Sequence, residues 1–251
     1  MRDGGDVELD VLALKCSHAS SLPHGTLVLM TVRLYLASTS PARLSLLRAA
    51  GIEPVLLAPG VDEDEAVAVE EGRLGRRLDA VETVALLARA KAEAVLGATV
   101  DGRPLDGFVL GGDSAFEIEG DVLGKPHEPA TAFERWQQMI RVGSGVLHSG
   151  HHLIDHRGGR PGQGVTATAS ADLTFAPDIT DAEIEAYVAT GEPLKVAGAF
   201  TIDGLAAAFI TEIVGTPSAV VGLSIPLLRR LLREHFDVEW HELWTTGHGL
   251  T

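Results

Sequence analysis

The chain has 251 residues, of which 45% are hydrophobic, and this is enough apolar material for the core of one large domain or of two small lobes. Its formal net charge of -15 argues against a protein that coats nucleic acid, because such proteins carry a basic stripe that neutralises phosphates. No run approaches the roughly 18 consecutive apolar residues of a membrane helix, and the single cysteine, Cys16, indicates a reducing compartment. We therefore expect a cytoplasmic protein without a membrane partner.

Residues 1–29 differ in pattern from the rest of the chain. They alternate polar and apolar residues without a sustained period, and they lack the charged start and long apolar stretch of a secretory signal. Directly after them, the sequence from Met30 to Arg33 leads into a strong strand signal. We expect residues 1–29 to be a poorly ordered extension or a misassigned start, and residues 30–251 to form the folded domain.

The first part of the chain alternates strand and helix signals. Residues 33–37 predict a buried strand, and a helix predicted over 42–50 follows, with Ser40 as N-cap, Pro41 in its first turn and Gly51 at its end. The other elements predicted here are a strand at 54–58, an acidic loop at 62–65, a helix at 79–96, a buried strand at 107–112 that ends at Asp113, and a hairpin with strands at 115–118 and 122–123.

The second part of the chain contains longer strands. A helix is predicted at 129–142, and residues 146–175 predict two long strands joined by a Gly-rich turn at 157–162. The remaining elements are a helix that begins at the capping box of Thr180 and Glu183 and ends at Gly191, a strand near 206–214, and a closing helix at 226–236. This order predicts an α/β fold with a mixed β-sheet and helices packed on it.

The turn at residues 38–43 is the first candidate for chemistry. A strand leads there into a helix whose free backbone N–H groups can bind an anion, and Arg43 could add a planar guanidinium for phosphate oxygens. Ser38 and Ser40 could donate from their hydroxyls. The same residues also suit an ordinary helix start, so the local sequence leaves both interpretations open.

Asp113 is the second candidate. It follows a buried strand and the pair Gly111 and Gly112, which would let a ligand approach the backbone closely. Such an aspartate could bind a cation or take a proton from water, or it could only cap the following turn. The carboxylates at 62–65 alone are typical of a solvated loop, but together with Asp113 they suit magnesium.

Two lysines and four histidines complete the candidates. Lys91 and Lys125 could counter phosphate charge, although isolated lysines are usually solvated. His148, His151, His152 and His156 raise the question of zinc, but no cysteine or convincing third ligand accompanies them. The sequence contains no P-loop, no dinucleotide fingerprint and no nucleophile elbow.

Taken together, these pieces resemble the Maf nucleotide pyrophosphatases, a family related in fold to the inosine triphosphate pyrophosphatases. The similarity covers essentially everything after Met30. No single motif is decisive, but their ordered set is specific. The motifs are LYLASTSP at 34–41, GVDE at 60–63, AKA at 90–92, GGDS at 111–114, GKP at 124–126, SG at 144–145 with His148, GEP at 191–193, AGA at 197–199 and VGL at 221–223.

The resemblance implies a site and a reaction. Asp113 would be the general base, Glu63 would help it hold Mg²⁺ or another divalent cation such as Mn²⁺, and Arg43, Lys91 and Lys125 would bind the triphosphate. Water would attack the α-phosphorus of a nucleoside triphosphate, giving a nucleoside monophosphate and pyrophosphate. The resemblance also implies an elongated mixed sheet with two lobes around a central cleft, and it suggests a homodimer.

Three departures from the family pattern lie near positions that tune the choice of base. Ala42 stands where the thymidine- and uridine-specific branch has the first of two arginines, Ser114 where it has threonine, and Asp203 where it has glutamine. A carboxylate only accepts hydrogen bonds, so Asp203 favours a base edge rich in donors, such as that of guanine. We therefore expect a preference for a purine or a modified guanine nucleotide. Lys195 and Val196 replace a common Asp-Lys pair, and we assign no catalytic role there.

Two other functions compete with this interpretation. One is a noncatalytic regulator of septum formation and cell division, with which the family is linked by name; a pure binding module would not need Glu63, Lys91, Asp113 and Lys125 together. The other is a sugar or nucleotidyl transferase with an anion-binding loop, which would use an acceptor other than water.

Overall fold

A computed structural model of the chain describes residues 32–245, so the predicted extension at 1–29 lies outside the described residues. Its centre is a seven-stranded mixed sheet in the order β2-β1-β5-β7-β8-β9, with β6 also paired to β5. β1 is parallel to β2 and to β5, whereas the other pairs in this sheet are antiparallel. The strands of this sheet are β1 (Leu34–Ala37), β2 (Val55–Leu57), β5 (Phe108–Ile118), β6 (Asp121–Leu123), β7 (Ser144–Asp155), β8 (Gly164–Phe175) and β9 (Ile210–Val214); β3 (Thr99–Val100) and β4 (Arg103–Pro104) form a separate hairpin.

Helices flank the sheet, and several begin at a side-chain cap. Asp79 and Glu82 form a complete capping box at one helix, Thr180 and Glu183 form one at another, and the Ser224 hydroxyl accepts from the Leu227 N–H. The helices are α1 (Pro41–Ala49), α2 (Glu63–Leu74), α3 (Ala80–Ala94), α4 (Pro129–Val142), α5 (Asp181–Ala189), α6 (Pro217–Val221) and α7 (Ile225–Phe236), with 3₁₀ turns at Glu192–Lys195, Ala197–Ala199, Leu205–Phe209 and Trp240–Leu243.

The apolar core divides along β5. Phe108 and Leu110 at one end of this strand pack with residues of α1 and α7, whereas Phe116 and Ile118 at the other end pack around Trp136. Edge-to-face contacts of Trp136 with four neighbouring rings consolidate the second cluster. Residues 111–114 lie between these two clusters, and a third cluster that includes Tyr35 and Val109 packs against α3. The predicted α/β class, with a mixed sheet and flanking helices, is confirmed.

The sheet has a gap beside these residues. β1 accompanies β5 only as far as the pair Ala37 and Gly111, and β6 joins the same edge of β5 only at Phe116. Between these points, that edge of β5 has no neighbouring strand among residues 32–245. The turn that follows β1 lies beside this uncovered stretch of β5, and we call the space between them, at the level of Asp113, the cleft.

Two predicted elements are wrong in a way that bears on the site. The acidic loop at 62–65 is the start of α2, with Asp62 as N-cap accepting from the Glu65 N–H at 3.0 Å. Carboxylates in a first turn stabilise a helix dipole, but no residue of α2 is buried, so the sequence offered no apolar stripe to reveal it. The strand predicted to end at Asp113 continues to Ile118, because β7 pairs with it along its whole length.

Two further differences are local. α6 at Pro217–Val221 is too short to show a helical period, and it was not predicted. The strand predicted near 206–214 begins at Ile210, and a 3₁₀ turn occupies Leu205–Phe209 before it. None of the helices between residues 32 and 245 combines the length and apolarity of a membrane-spanning segment.

Candidate active site

Asp113, Lys91 and Glu63 form a charged cluster in the cleft. Asp113 lies on β5 and is only 7% exposed, and Lys91 on α3 is 8% exposed. The Lys91 Nζ donates to Asp113 Oδ1 at 2.6 Å and lies 2.6 Å from Glu63 Oε1 as well. Glu63 is the first residue of α2, and its side chain is 51% exposed. One ammonium group thus joins a buried carboxylate to one that faces solvent.

Two glycines bring α3 close enough for this contact. Gly111 on β5 faces α3, and a Cβ there would overlap the Ala88 carbonyl oxygen. Gly150 on β7 pairs with Asp113, and a Cβ there would overlap the Val84 carbonyl oxygen. The helix therefore packs directly on the sheet backbone, which places Lys91 beside Asp113.

Burial and charge act on Asp113 in opposite directions. Burial raises the pKa of the Asp113 carboxyl above its ordinary value, and Glu63 adds to this, while Lys91 and Arg43 lower it; the net direction is upward. Burial lowers the pKa of Arg43, and the neighbouring Asp113 and Glu63 carboxylates partly offset that effect. A carboxylate with a raised pKa is a better proton acceptor, as general-base chemistry requires.

Arg43 reaches the same cleft from the other face of the sheet. Its guanidinium donates to the Gly222 carbonyl at 2.8 Å, to Ser38 Oγ at 3.2 Å and to Ser114 Oγ at 3.0 Å. Gly112 makes room for it, because a Cβ at that position would lie 3.1 Å from Arg43 Nε. Three of the five guanidinium N–H groups are thereby fixed, which leaves two for a ligand oxygen.

A directed chain of hydroxyls holds Ser114. Ser149 Oγ donates to the Ala219 carbonyl at 2.7 Å, so its single proton is committed there. Ser149 must then accept from Ser114 Oγ at 3.0 Å, and Ser114 in turn accepts from Arg43. In this structure the Ser114 hydroxyl has no proton left for a base, and its contacts orient Arg43.

Ser38 and Ser40, in the turn after β1, were predicted to donate to phosphate from their hydroxyls, and they have different partners in the structure. Ser38 is buried, and its hydroxyl accepts from the Ser40 N–H at 3.1 Å as well as from Arg43. Ser40 occupies the N-cap position of α1, but its side chain makes no cap hydrogen bond. Ser38 therefore supports Arg43, and the partly buried Ser40 hydroxyl is not engaged by the helix.

The other predicted site residues lie apart from this cluster. Lys125 is exposed in the loop between β6 and α4, and it makes no hydrogen bond or ion pair with any described residue. Asp203 is exposed, and its carboxylate accepts from the Thr201 hydroxyl. Ala42 is partly buried in the first turn of α1. The structure therefore brings together Ser38, Arg43, Glu63, Lys91, Asp113 and Ser114, but not Lys125 or Asp203.

The four histidines have separate partners. His148 Nδ1 bonds Ser170 Oγ at 2.8 Å, His152 Nδ1 bonds Thr166 Oγ1 at 2.6 Å and His156 Nδ1 bonds the Leu105 carbonyl at 2.8 Å. His151 is fully buried, where it accepts from the Ser224 N–H at 2.9 Å and contacts the Ser149 carbonyl at 3.0 Å. Burial lowers the pKa of His151 to about 4, so it stays neutral at pH 7. Residues 32–245 contain no group of three metal-ligating side chains.

The donor set suits a hard divalent cation. Glu63 and Asp113 each place one carboxylate oxygen 2.6 Å from the same ammonium nitrogen, so the two oxygens are close neighbours. Magnesium in nucleotide enzymes is typically held by one or two carboxylates, with water and substrate phosphates completing its octahedron. Two converging carboxylates at an open cleft fit that requirement.

No sequence pattern pointed to Ser149 or Gly150. Ser149 and Gly150 are neighbours on β7 and face opposite sides of the sheet. Their roles depend on the register that pairs Ser149 with Ser114 and Gly150 with Asp113. The strand itself was predicted, but its pairing with β5, which places Gly150 opposite Asp113, cannot be predicted from the local sequence.

The chain is similar to known proteins of one family. Residues 33–235 match the family model described as Maf-like protein. The chain is 60% identical over 213 residues to a protein of Leifsonia xyli subsp. xyli named nucleoside triphosphate pyrophosphatase, covering 85% of this chain and 97% of that one. Proteins of the same name in Salinispora tropica and Cutibacterium acnes are 48% and 46% identical, covering 87% and 88% of this chain and 90% and 98% of theirs. The chain belongs to the Maf-like protein family.

Proposed function

We propose that this protein is a nucleoside triphosphate pyrophosphatase, which hydrolyses an NTP or dNTP to the monophosphate and pyrophosphate. The observation that carries the proposal is the cluster of Asp113, Lys91 and Glu63 in a cleft that Arg43 enters from the other side. Relatives at 46–60% identity bear that name, which favours the enzyme over a noncatalytic regulator of septum formation.

Each side chain has a defined part in the proposed reaction. Asp113 accepts a proton from water as the water oxygen bonds to the α-phosphorus. The bond between that phosphorus and the oxygen bridging to the β-phosphate breaks, and pyrophosphate leaves with the electron pair. The two free N–H groups of Arg43 and the Lys91 ammonium neutralise the phosphate oxygens. Lys125 adds a further positive charge from the loop between β6 and α4.

Glu63 and Asp113 would hold the divalent cation, either Mg²⁺ or Mn²⁺. When bound, such an ion supplies positive charge to the triphosphate oxygens. Lys91 already contacts both carboxylates, so it would remain at the edge of the metal site and keep Asp113 ionised. We also place the reaction in the cytoplasm, with the chain acting alone or as a homodimer.

The test is pyrophosphate release from a panel of nucleotides, with and without Mg²⁺. Asp113→Asn removes the proton acceptor and should lower kcat by about 100-fold or more. Asp178→Asn is the matched control, because Asp178 is exposed and makes no hydrogen bond or ion pair within the described chain. Unchanged pyrophosphate release by Asp113→Asn would contradict the proposal, and transfer to an acceptor other than water would indicate a transferase.

We propose a preference for a guanine nucleotide, and the carboxylate of Asp203 supports it. Its carboxylate is exposed and accepts from Thr201, so it can present only acceptor atoms to a base. A guanine edge, which carries N–H donors, matches it better than a thymine or uracil edge. The same panel decides the point: strong turnover of dTTP and UTP with none of GTP or its analogues would contradict this preference.

A further inference from the structure

A cavity of about 560 Å³ lies between the edge of β8, the turn after β9 and one side of α7. It shares no lining residue with the cluster around Asp113. The polar side chains on its wall are Thr168, Ser170, Thr216, Ser224, Arg229, Arg230, Arg233 and Glu234. Its volume lies in the range of pockets that take small molecules, roughly 300–1,000 Å³.

The three arginines are the unusual feature of this cavity. Residues 229, 230 and 233 follow the spacing that places them on one side of α7, while Leu228, Leu231 and Leu232 fix the opposite side in the core. None of the three makes a hydrogen bond or ion pair with residues 32–245. The chain carries 35 acidic and 20 basic side chains, yet only Glu234 among the cavity residues is acidic.

The opposite wall offers donors rather than more charge. β9 pairs with β8 only from Asp172 onward, so the outer edge of β8 at residues 168–170 has no strand neighbour among the described residues. The Thr168 hydroxyl on this strand has no hydrogen-bond partner among the described residues, so it can donate to a ligand. The Thr216 hydroxyl pairs with Ser224 Oγ at 3.1 Å across the base of α7.

We propose that this cavity binds a small anion with two or more phosphate groups. Three guanidinium groups present forked donors that match phosphate oxygens, and together they balance about three negative charges. A cationic ligand is unsuited to this wall, and an apolar one would leave the arginines without partners. The proposal stands independently of the reaction assigned to Asp113.

Calorimetric titration of the full chain with inorganic tripolyphosphate tests this site. The wild type should show two binding events, one in the active site and one in the cavity. Replacing Arg229, Arg230 and Arg233 together by alanine should abolish the cavity event or weaken it at least tenfold. The matched control replaces Arg77, Arg103 and Arg160, which are also exposed and whose side chains make no bond within the described chain, and it should retain both events within twofold.

Two further variants keep the outcome clear. Lys91→Met should remove only the active-site event, so failure of the proposed reaction and failure of this site are separable. Replacing the three cavity arginines by lysine keeps the charge but loses the forked donors, and it should weaken the cavity event by roughly threefold to tenfold.

Alanine is the strongest helix former, so loss of α7 in the alanine variant is not expected, and an unchanged far-ultraviolet circular dichroism spectrum will confirm that it folds. The proposal is overturned if the alanine variant keeps both events, if the control loses as much, or if a short polyglutamate peptide binds the cavity as tightly as tripolyphosphate.

Discussion

Lys91 is placed to set the protonation of Asp113. Burial raises the pKa of the Asp113 carboxyl, and the Lys91 ammonium lowers it. Removing that ammonium should therefore raise the Asp113 pKa further. In Lys91→Met the acid limb of the kcat/KM profile should therefore move to higher pH. Lys91→Arg retains a cation and should move it less. An acid limb that stays in place in Lys91→Met would contradict the pairing of these groups.

The same shift has a consequence for stability. A carboxyl whose pKa is raised by folding holds its proton more tightly in the native chain than in the unfolded one. Its contribution to stability is therefore present at low pH and is lost as pH rises through the native pKa. Lys91→Met should lower Tm more at pH 7 than at pH 4, and thermal unfolding at the two values measures the difference.

Ser149 positions Arg43 without reaching a substrate. Ser149→Ala removes the acceptor for the partly buried Ser114 hydroxyl and the buried donor to the Ala219 carbonyl, and should destabilise the protein by about 1–3 kcal/mol. A loosened guanidinium should also raise KM roughly threefold to tenfold while kcat changes less.

Two variants separate positioning from a purely structural effect. Ser149→Thr keeps the hydroxyl and should restore KM. Ser218→Ala removes a hydroxyl of α6 that accepts from the Ile225 N–H and makes no contact with the Arg43, Ser114 and Ser149 side chains, and it should leave KM unchanged. If Ser149→Ala lowers Tm with KM unaltered, its role is structural only.

At the scale of elements, the packing of α3 on bare backbone places Lys91. Gly150→Ala puts a methyl group into the Val84 carbonyl, so we expect a loss of roughly 1–3 kcal/mol or more, with a fall in kcat/KM as α3 shifts. Gly97→Ala is the matched control, because a Cβ there meets nothing within 4 Å, and it should change stability by no more than about 0.5 kcal/mol. Equal denaturation midpoints for the two variants would show that α3 is not held this closely.

Element boundaries were predictable where a signal is local. Ser40 and Pro41 marked the start of α1, and the capping box at Thr180 marked the start of α5. α2 has a comparable local signal, Asp62 three residues before Glu65, but it buries no face, and the acidic run at 62–65 was predicted to be a loop. An apolar stripe is visible in the local sequence, and a helix without one is hard to recognise even where its cap is present.

The site itself was only partly accessible from sequence. Family resemblance and residue chemistry selected Arg43, Glu63, Lys91 and Asp113, and the structure places them in one cleft. Their geometry depends on two strand registers and on glycines that admit α3, and these pairings join residues far apart in the chain. Ser114 shows the limit of such reasoning, since its hydroxyl is directed to Ser149 and Arg43 rather than to the cleft.

At the scale of the whole molecule, Lys125 makes no contact with the cluster around Asp113 that holds the other cations. The loop that carries it is anchored beside the core cluster around Trp136, because the Gly124 carbonyl accepts from Arg135 at 2.6 Å and from the Gly198 N–H at 3.3 Å. Its backbone is thus anchored while its side chain is exposed. Lys125 can contact a triphosphate only if that ligand extends from the cluster around Asp113 to this loop.

Protection of Lys125 from chemical modification tests this arrangement. A nonhydrolysable nucleoside triphosphate analogue should slow acylation of Lys125 severalfold, because the phosphates would cover its amine. Lys195 is exposed and carries no assigned role, so its acylation, followed in the same mass spectra, should not change. Lys125→Ala should raise KM while leaving Tm within about 2 °C, since the side chain has no partner among residues 32–245. Equal acylation of Lys125 with and without the analogue would mean that the triphosphate is bound by the Asp113 side of the cleft alone.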